Sequence, residues 1–311
     1  MYKDRLIAVV IPSHNEAAHI ADVIKSLPEF VDHAIVVDDC SDDDTSQAAQ
    51  ATGDPRVTIL APEVNQGVGG ATILGYEHAL KIHCDVIVKM DGDGQMPSEH
   101  LTDLLNAIVD QGFDYAKGNR FLAGESLSQM PKVRLFGNVV LTFMTKLASG
   151  YWHVFDPQNG YTAITARALR LLNLNQIHRR FFFENDMLVA LNYFSLRVTD
   201  VAIPSRYGTE QSDLNPLHVG VTFPWLLLMR FVGRIYQRYV LRDFSPVALF
   251  LLLGLLLFFW GFGFGVYLWI ETWITGRATP TGTIMLSLLP LILGFQLLLQ
   301  AIVLDIYNTP R

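Results

Sequence analysis

Two runs without a single charged side chain, residues 244–270 and 278–304, constrain this chain more than any other feature. Each is longer than the roughly 20 apolar residues that cross a bilayer. Only backbone that satisfies its own hydrogen bonds can sit in hydrocarbon, so each run reads as a transmembrane helix. The competing reading is a pair of core helices in a soluble domain. Two such runs side by side weigh against it, and together they account for a composition that is 50% hydrophobic.

Charge divides the chain in the same place. The net charge is −7, and residues 217–311 hold six arginines against three acids, which leaves −10 on residues 1–216. An acidic front argues against a nucleic-acid partner, because a phosphate backbone requires a basic face. The first residues run into an apolar segment with no h-region or cleavage site, so no secretory signal is expected. Cys40 and Cys84 are the two cysteines, and each borders an apolar run, which reads as a small reduced core residue. The histidines show no HExxH or Cys/His ligand spacing, so no zinc site is expected.

Ahead of the membrane runs, short apolar segments at 6–11, 34–37, 57–60 and 86–90 alternate with helical spacing at 17–27, 70–82 and 101–109. Ser41 and Asp42, Asp43 and Asp44 resemble a further helix N-terminus, where acids complement the dipole. Strands alternating with helices imply a parallel sheet with crossover connections. Gly67-Val68-Gly69-Gly70 is not the dinucleotide fingerprint and reads as close packing of a loop on a helix start. Beyond Gly112 the pattern loosens, with a strand at 114–117, a helix at 132–149 and an apolar stretch at 162–168. Residues 217–242 read as helical, in two pieces broken at Pro224. Arg230, Arg234, Arg238 and Arg242 recur every fourth residue, near one helix face. Placed just before the first spanning run, that stripe reads as an amphipathic helix in the membrane interface, on the cytoplasmic side by the positive-inside rule. A solvated arginine face is the alternative. The expected organisation is an α/β domain over 1–215, juxtamembrane helices over 216–243 and a transmembrane hairpin over 244–311.

The segment Val86-Ile87-Val88-Lys89-Met90 ends abruptly in Asp91-Gly92-Asp93-Gly94-Gln95. Two carboxylates at the C-terminal tip of a strand lie where open α/β sheets bind ligands. Mg²⁺ or Mn²⁺ favours one or two carboxylates plus substrate phosphates, and the glycines let a diphosphate approach the backbone. A solvated acidic turn is the bland reading.

Together these pieces resemble the family-two glycosyltransferases, with the polyprenyl- or dolichyl-phosphate sugar synthases as the most similar branch. The resemblance covers about residues 5–215. It rests on Val9 to Glu16, Val37 to Thr45, Asn65-Gln66-Gly67 and the Asp91–Gln95 motif. It implies a Rossmann-like α/β catalytic domain of glycosyltransferase type A, followed by interface helices and two membrane spans. It also implies that Pro12, Asn15 and Glu16 form the nucleotide loop and that Asp38 and Asp39 close the base-binding strand end, with Asp39 at the nucleobase. Asp91 lies toward the ribose or diphosphate. Asp93 ligates Mg²⁺ or Mn²⁺, with Asp91 and Gln95 beside it. Arg120 and Arg134 resemble the positions that hold the lipid phosphate, and Arg206, followed by Ser212, the arginine that closes on the donor. Asp156, Glu184 and Asp186 match sugar-pocket acids. Cys40 and Gly94 depart from the usual glycine and larger apolar residue, which leaves base and sugar preference open.

The implied reaction is transfer of a hexose from GDP-mannose or UDP-glucose, with UDP-N-acetylhexosamines behind, to a polyprenyl phosphate at the cytoplasmic face. Two competitors stand beside it. A processive polysaccharide synthase carries a Gln-x-x-Arg-Trp motif, of which Gln176 to Arg180 is a near miss. A noncatalytic sugar-nucleotide sensor has no need of intact Asp91, Asp93 and Gln95. Pairing of copies through the helices is left open.

Overall fold

A computed structural model of the protein describes residues 1–122, 132–204, 216–242 and 244–310. Its described residues form two compact units, 1–231 with the last residues of the chain, and 232–309.

In the first unit the strands are β1 (Ile7–Ser13), β2 (His33–Asp38), β3 (Val57–Leu60), β4 (Val86–Lys89), β5 (Tyr115–Asn119), β6 (Thr162–Thr165) and β7 (Val198–Ala202). They make one sheet in the order β3-β2-β1-β4-β6-β5-β7. Helices α1 (Ile20–Ser26), α2 (Thr45–Ala51), α3 (Gly67–Lys81), α4 (Leu101–Val109), α5 (Lys132–Ser149), α6 (Ala166–Leu171), α7 (Phe183–Tyr193) and α8 (Pro216–Arg234) connect and cover them. All seven residues of β1 are buried, as expected of a strand with both faces covered. Ala8, Val10 and Ile87 pack on one face with Tyr76 and Met187. Val9, Ile11 and Val88 pack on the other with Ile24 and Leu104. The four apolar segments read from sequence are β1 to β4, and they form the expected Rossmann-like α/β layer.

The sheet is mixed rather than parallel. β6 runs antiparallel to both β4 and β5. The cause is the route of the chain. Residues 150–161 bring it to the strand tips, where Tyr161 O accepts from Gly118 N at 2.8 Å. A strand that starts at that edge, with Thr162 opposite both Lys89 and Lys117, can only run the other way. β7 was not anticipated at all. Helix α3 also starts three residues earlier than its periodicity predicts, because Gly67–Gly70 form its first turn. A Cβ on Gly69 would lie 2.7 Å from His178 O, so the glycines do serve close packing.

Helix α8 is not broken at Pro224. It continues to Arg234, where a π-helical segment, Ile235–Arg242, takes over. The proline forfeits one N–H, and Phe223 and Leu227 on either side of it are buried against Ala148, Phe182 and Val189, which offsets that loss.

The second unit holds α9 (Pro246–Thr275) and α10 (Thr281–Tyr307), both long and apolar enough to span a membrane. Their interface uses small residues seven apart: Gly254 and Gly261 on α9, Ser287, Gly294 and Ala301 on α10, all buried. Ser287 Oγ donates to Gly261 O at 2.7 Å. Small residues let helix backbones approach where no hydrophobic effect drives them together.

Candidate active site

The C-terminal tips of β1, β2, β4 and β5 gather the acids that the sequence singles out, and these divide by what neutralises them. At β2, Asp38 and Asp39 are almost fully buried. Asp39 accepts from Gln66 N and Gly67 N at 2.8 and 2.7 Å, so it caps the start of α3. Asp38 accepts from Ser41 N at 3.0 Å and from the Ser46 hydroxyl. Asn15, at φ +60°, ties the β1 loop to this turn: its N–H donates to Ser41 Oγ at 2.9 Å, and its Oδ1 accepts from Asp42 N at 2.8 Å. Glu16 N donates to Thr45 Oγ1 at 2.8 Å, and Pro12 O accepts from Gly92 N at 3.3 Å. The predicted nucleotide loop is therefore held by main-chain N–H groups bonded to side-chain and main-chain oxygens of its neighbours.

At β4 the partner is a side chain that sequence reasoning left without a role. Lys89 is 1% exposed, and its Nζ donates to Asp91 Oδ1 at 2.7 Å and to Glu184 Oε1 at 3.2 Å. The alternation of the strand aims Lys89 at the same face as Ile87, between α3 and α7. Burial disfavours its charge, but Asp91 and Glu184 outweigh that and hold its pKa above the ordinary lysine value. Burial pushes the Glu184 carboxyl up, Lys89 pulls it back and Asp91 pushes it up again, for a net rise. Tyr76, wholly buried nearby, is pushed up to about 12 by the same desolvation. A Cβ on Gly160 would lie 2.5 Å from Lys89 Nζ and 2.9 Å from Asp91 Oδ2, so only glycine fits over this ion triad.

Asp93 is half-buried, and its Oδ1 accepts from Gln95 N at 2.9 Å. Among the described residues no group of three or more His, Cys, Asp or Glu gathers into a metal cage. The donor set fits a divalent cation completed by substrate phosphates, with Asp93 as the presented acid and Asp91 already held by Lys89.

At β5, Arg120 grips Asp156 with two bonds of 2.7 Å. Burial pushes the Asp156 carboxyl up, but Arg120, and then Lys117, hold it below the usual aspartate value. The structure thus joins Arg120 and Asp156, read separately from sequence as a phosphate arginine and a sugar-pocket acid. It separates Glu184 from Asp186, which points off the other side of α7. Asp186 Oδ2 accepts from His178 N at 2.8 Å and from Arg230 Nη2 at 2.6 Å, and burial raises its pKa. Arg134 lies in the first turn of α5, with its side chain outside the described residues. Arg206 and Ser212 lie outside them altogether.

That pairing also corrects the arginine stripe. Arg230 belongs to Asp186. Arg234 is fully buried and forms bonds of 2.7 and 2.9 Å with Asp305, which Tyr239 also reaches at 2.6 Å. Arg238 Nη2 donates to Asn308 O at 2.7 Å. The π-helical segment ends the every-fourth-residue register, so the four guanidinium groups are not one solvated row.

The sequence matches the Glycosyl transferase family 2 pattern over residues 8–172. The chain belongs to that family. It is 29% identical over 249 residues to a UDP-N-acetylglucosamine–dolichyl-phosphate N-acetylglucosaminyltransferase of Methanococcus voltae, covering 75% of this chain and 98% of that one. It is 30% identical over 202 residues to an undecaprenyl-phosphate mannosyltransferase of Micrococcus luteus, covering 63% and 82%. In fold it resembles glucosyl-3-phosphoglycerate synthase of Mycobacterium tuberculosis, solved with Mn²⁺, UDP and glucosyl-3-phosphoglycerate. That match has TM-score 0.54 and 21% identity, over 74% of this chain and 80% of that one.

Proposed function

We propose that the protein transfers one sugar from a nucleoside-diphosphate donor to the phosphate of a membrane polyprenol, at the cytoplasmic face and with inversion at C1. The carrying observation is the cluster at the tips of β4 and β5, in a family 2 glycosyltransferase whose described residues include two candidate membrane spans. There Lys89 binds Asp91 and Glu184 into one unit at the tip of β4, and Arg120 pairs with Asp156 at the tip of β5, two strands along the sheet. The relatives named for dolichyl- and undecaprenyl-phosphate transfer support the acceptor class.

In this reading Asp39, Asp38, Asn15, Glu16 and Pro12 build the wall that receives the nucleoside. Asp93, with Gln95 beside it, would hold Mg²⁺ or Mn²⁺. That cation, when bound, neutralises charge growing on the leaving group. Asp91 and Glu184 orient the ribose and sugar, fixed by Lys89. Arg206, with Ser212, closes on the donor. Arg120 and Arg134 hold the acceptor phosphate against the repulsion of a second polyanion, since guanidinium forks match phosphate oxygens. That phosphate is already anionic at neutral pH, so it needs placement beside C1 more than a general base. Donors are GDP-mannose, UDP-glucose or a UDP-N-acetylhexosamine. The near-miss polymerase motif is spent on packing: Gln176 O accepts from Arg230, and Arg179 Nη1 donates to Gln66 Oε1 at 3.0 Å.

The test offers the purified full-length protein each of these donors with Mn²⁺ and either undecaprenyl or dolichyl phosphate. Transfer from one donor into the organic phase supports the reading. Donor binding without turnover on any acceptor would instead mark a sensor.

A further inference from the structure

Two buried charged side chains outside the donor cluster take no part in the chemistry above. Lys117, on β5, and Asp200, on β7, are 1% and 7% exposed and lie 3.6 Å apart. Both are spent on one turn. Lys117 Nζ donates to Phe155 O at 2.9 Å and to Asp156 O at 2.5 Å. Asp200 Oδ2 accepts from Phe155 N and from Asn119 Nδ2, each at 2.6 Å. Asn159 N adds a bond to Asp156 O at 3.0 Å. Inside this frame Asp156 adopts φ +49°, a left-handed conformation uncommon for residues with a Cβ. Such backbone persists where its surroundings over-determine it, and it clusters at functional sites.

The frame aims the Asp156 carboxylate at Arg120. Oδ2 and Oδ1 take Nε and Nη2, and Oδ2 also receives Arg120 N at 3.2 Å. The carboxylate is 3% exposed, whereas the arginine side chain keeps 39%. Asp156 therefore lies behind the guanidinium and grips one edge of it, which sets the direction of the whole planar fork.

We propose that Asp156 is a positioning residue for Arg120, and that Lys117 and Asp200 exist to hold the Asp156 turn in place for that purpose. The inference rests on the reading of Arg120 as an arginine for the acceptor phosphate, and it replaces the expected role of Asp156 as a sugar-pocket acid. Two rival roles give different signs. A latch that competes with phosphate for Arg120 would weaken acceptor binding, so its removal would lower the acceptor KM. A sugar contact would act on the donor.

The experiment measures KM for undecaprenyl phosphate and for the donor separately, in the full-length protein, for Arg120→Ala, Asp156→Asn and Asp156→Glu. Asp156→Asn keeps size but loses charge. Asp156→Glu keeps charge but moves it by one methylene, and it serves also if the asparagine variant does not fold. Both Asp156 variants are expected to raise the acceptor KM about tenfold, the scale of one charge-assisted hydrogen bond, and to leave the donor KM within about twofold. An unchanged or lowered acceptor KM, or an effect confined to the donor, overturns the inference while leaving an Arg120→Ala effect intact. If Arg120→Ala itself leaves the acceptor KM unchanged, the phosphate reading of Arg120 falls and the inference with it.

Discussion

The two halves of the sheet neutralise their acids in different ways. At the tip of β2, Asp38 and Asp39 are satisfied by main-chain N–H and hydroxyl groups of their own and neighbouring loops. At β4 and β5, Asp91, Glu184 and Asp156 are satisfied by Lys89 and Arg120. Main-chain partners are set by the fold and cannot leave it. A cationic side chain can share its charge with an arriving polyanion. Under the proposed function the first arrangement serves as a rigid wall for a nucleoside and the second as the site where two anionic substrates meet.

The largest effect is expected at Asp93, the acid read as the metal ligand. Asp93→Ala should lower transfer by about a hundredfold or more, the scale of removing one electrostatic stabiliser of a transition state, with folding unchanged by circular dichroism. Activity near wild type in excess Mn²⁺ or Mg²⁺ would remove Asp93 from the metal site.

Next comes the cation that distinguishes the β4 half. Lys89→Met leaves Glu184 and Asp91 without their shared partner and should cost about 3–5 kcal/mol of stability. Asp39→Asn removes one acceptor from a main-chain pair and should cost about 1–3 kcal/mol. Denaturant unfolding of both variants checks the contrast. Equal losses would erase the distinction between the halves.

A smaller effect is expected at Arg134. If it shares the acceptor phosphate with Arg120, Arg134→Ala should raise the acceptor KM roughly ten- to a hundredfold, or about 1.5–3 kcal/mol, and spare the donor KM. Equal effects on both substrates would mean that it supports α5 instead.

The smallest is a pH effect. The folded pKa of Asp156 is depressed below the ordinary aspartate value. Its contribution to stability is therefore full above the unfolded carboxylate pKa and lost as pH falls through the lower folded one. The difference in stability between wild type and Asp156→Asn should shrink on acidification through that window. A difference that does not change with pH would mean that the Asp156 charge adds nothing to the pair.

How much of this was legible in the sequence depends on distance along the chain. β1 to β4 could be read because apolar runs closed by turn residues need no knowledge of the rest of the fold. β7 was missed because Asp200 interrupts its apolar pattern, and what excuses a buried acid there is Lys117, 83 residues earlier. Lys89 stood in plain sight inside the strand, yet its partner Glu184 lies 95 residues further on, in helix α7. The Arg230 to Arg242 stripe misled for the same reason: helical spacing shows which side chains share a face, not that Asp186 and Asp305 claim two of them. Asp91, Asp93 and Gln95, read from a local motif, do follow the end of β4. Asp156 and Asp186 were assigned by position alone, and the fold pairs the first with Arg120 and the second with Arg230.

The most direct measurement is the mass of the lipid product. Full-length protein is incubated to completion with undecaprenyl phosphate, Mn²⁺ and the donor it uses, and the organic extract is analysed by mass spectrometry beside an Asp93→Ala control. The expected product is polyprenyl phosphate carrying one sugar, with the lipid phosphate retained, and it is absent from the control. A polymer, free sugar alone, or the same product from Asp93→Ala would contradict single transfer at this site.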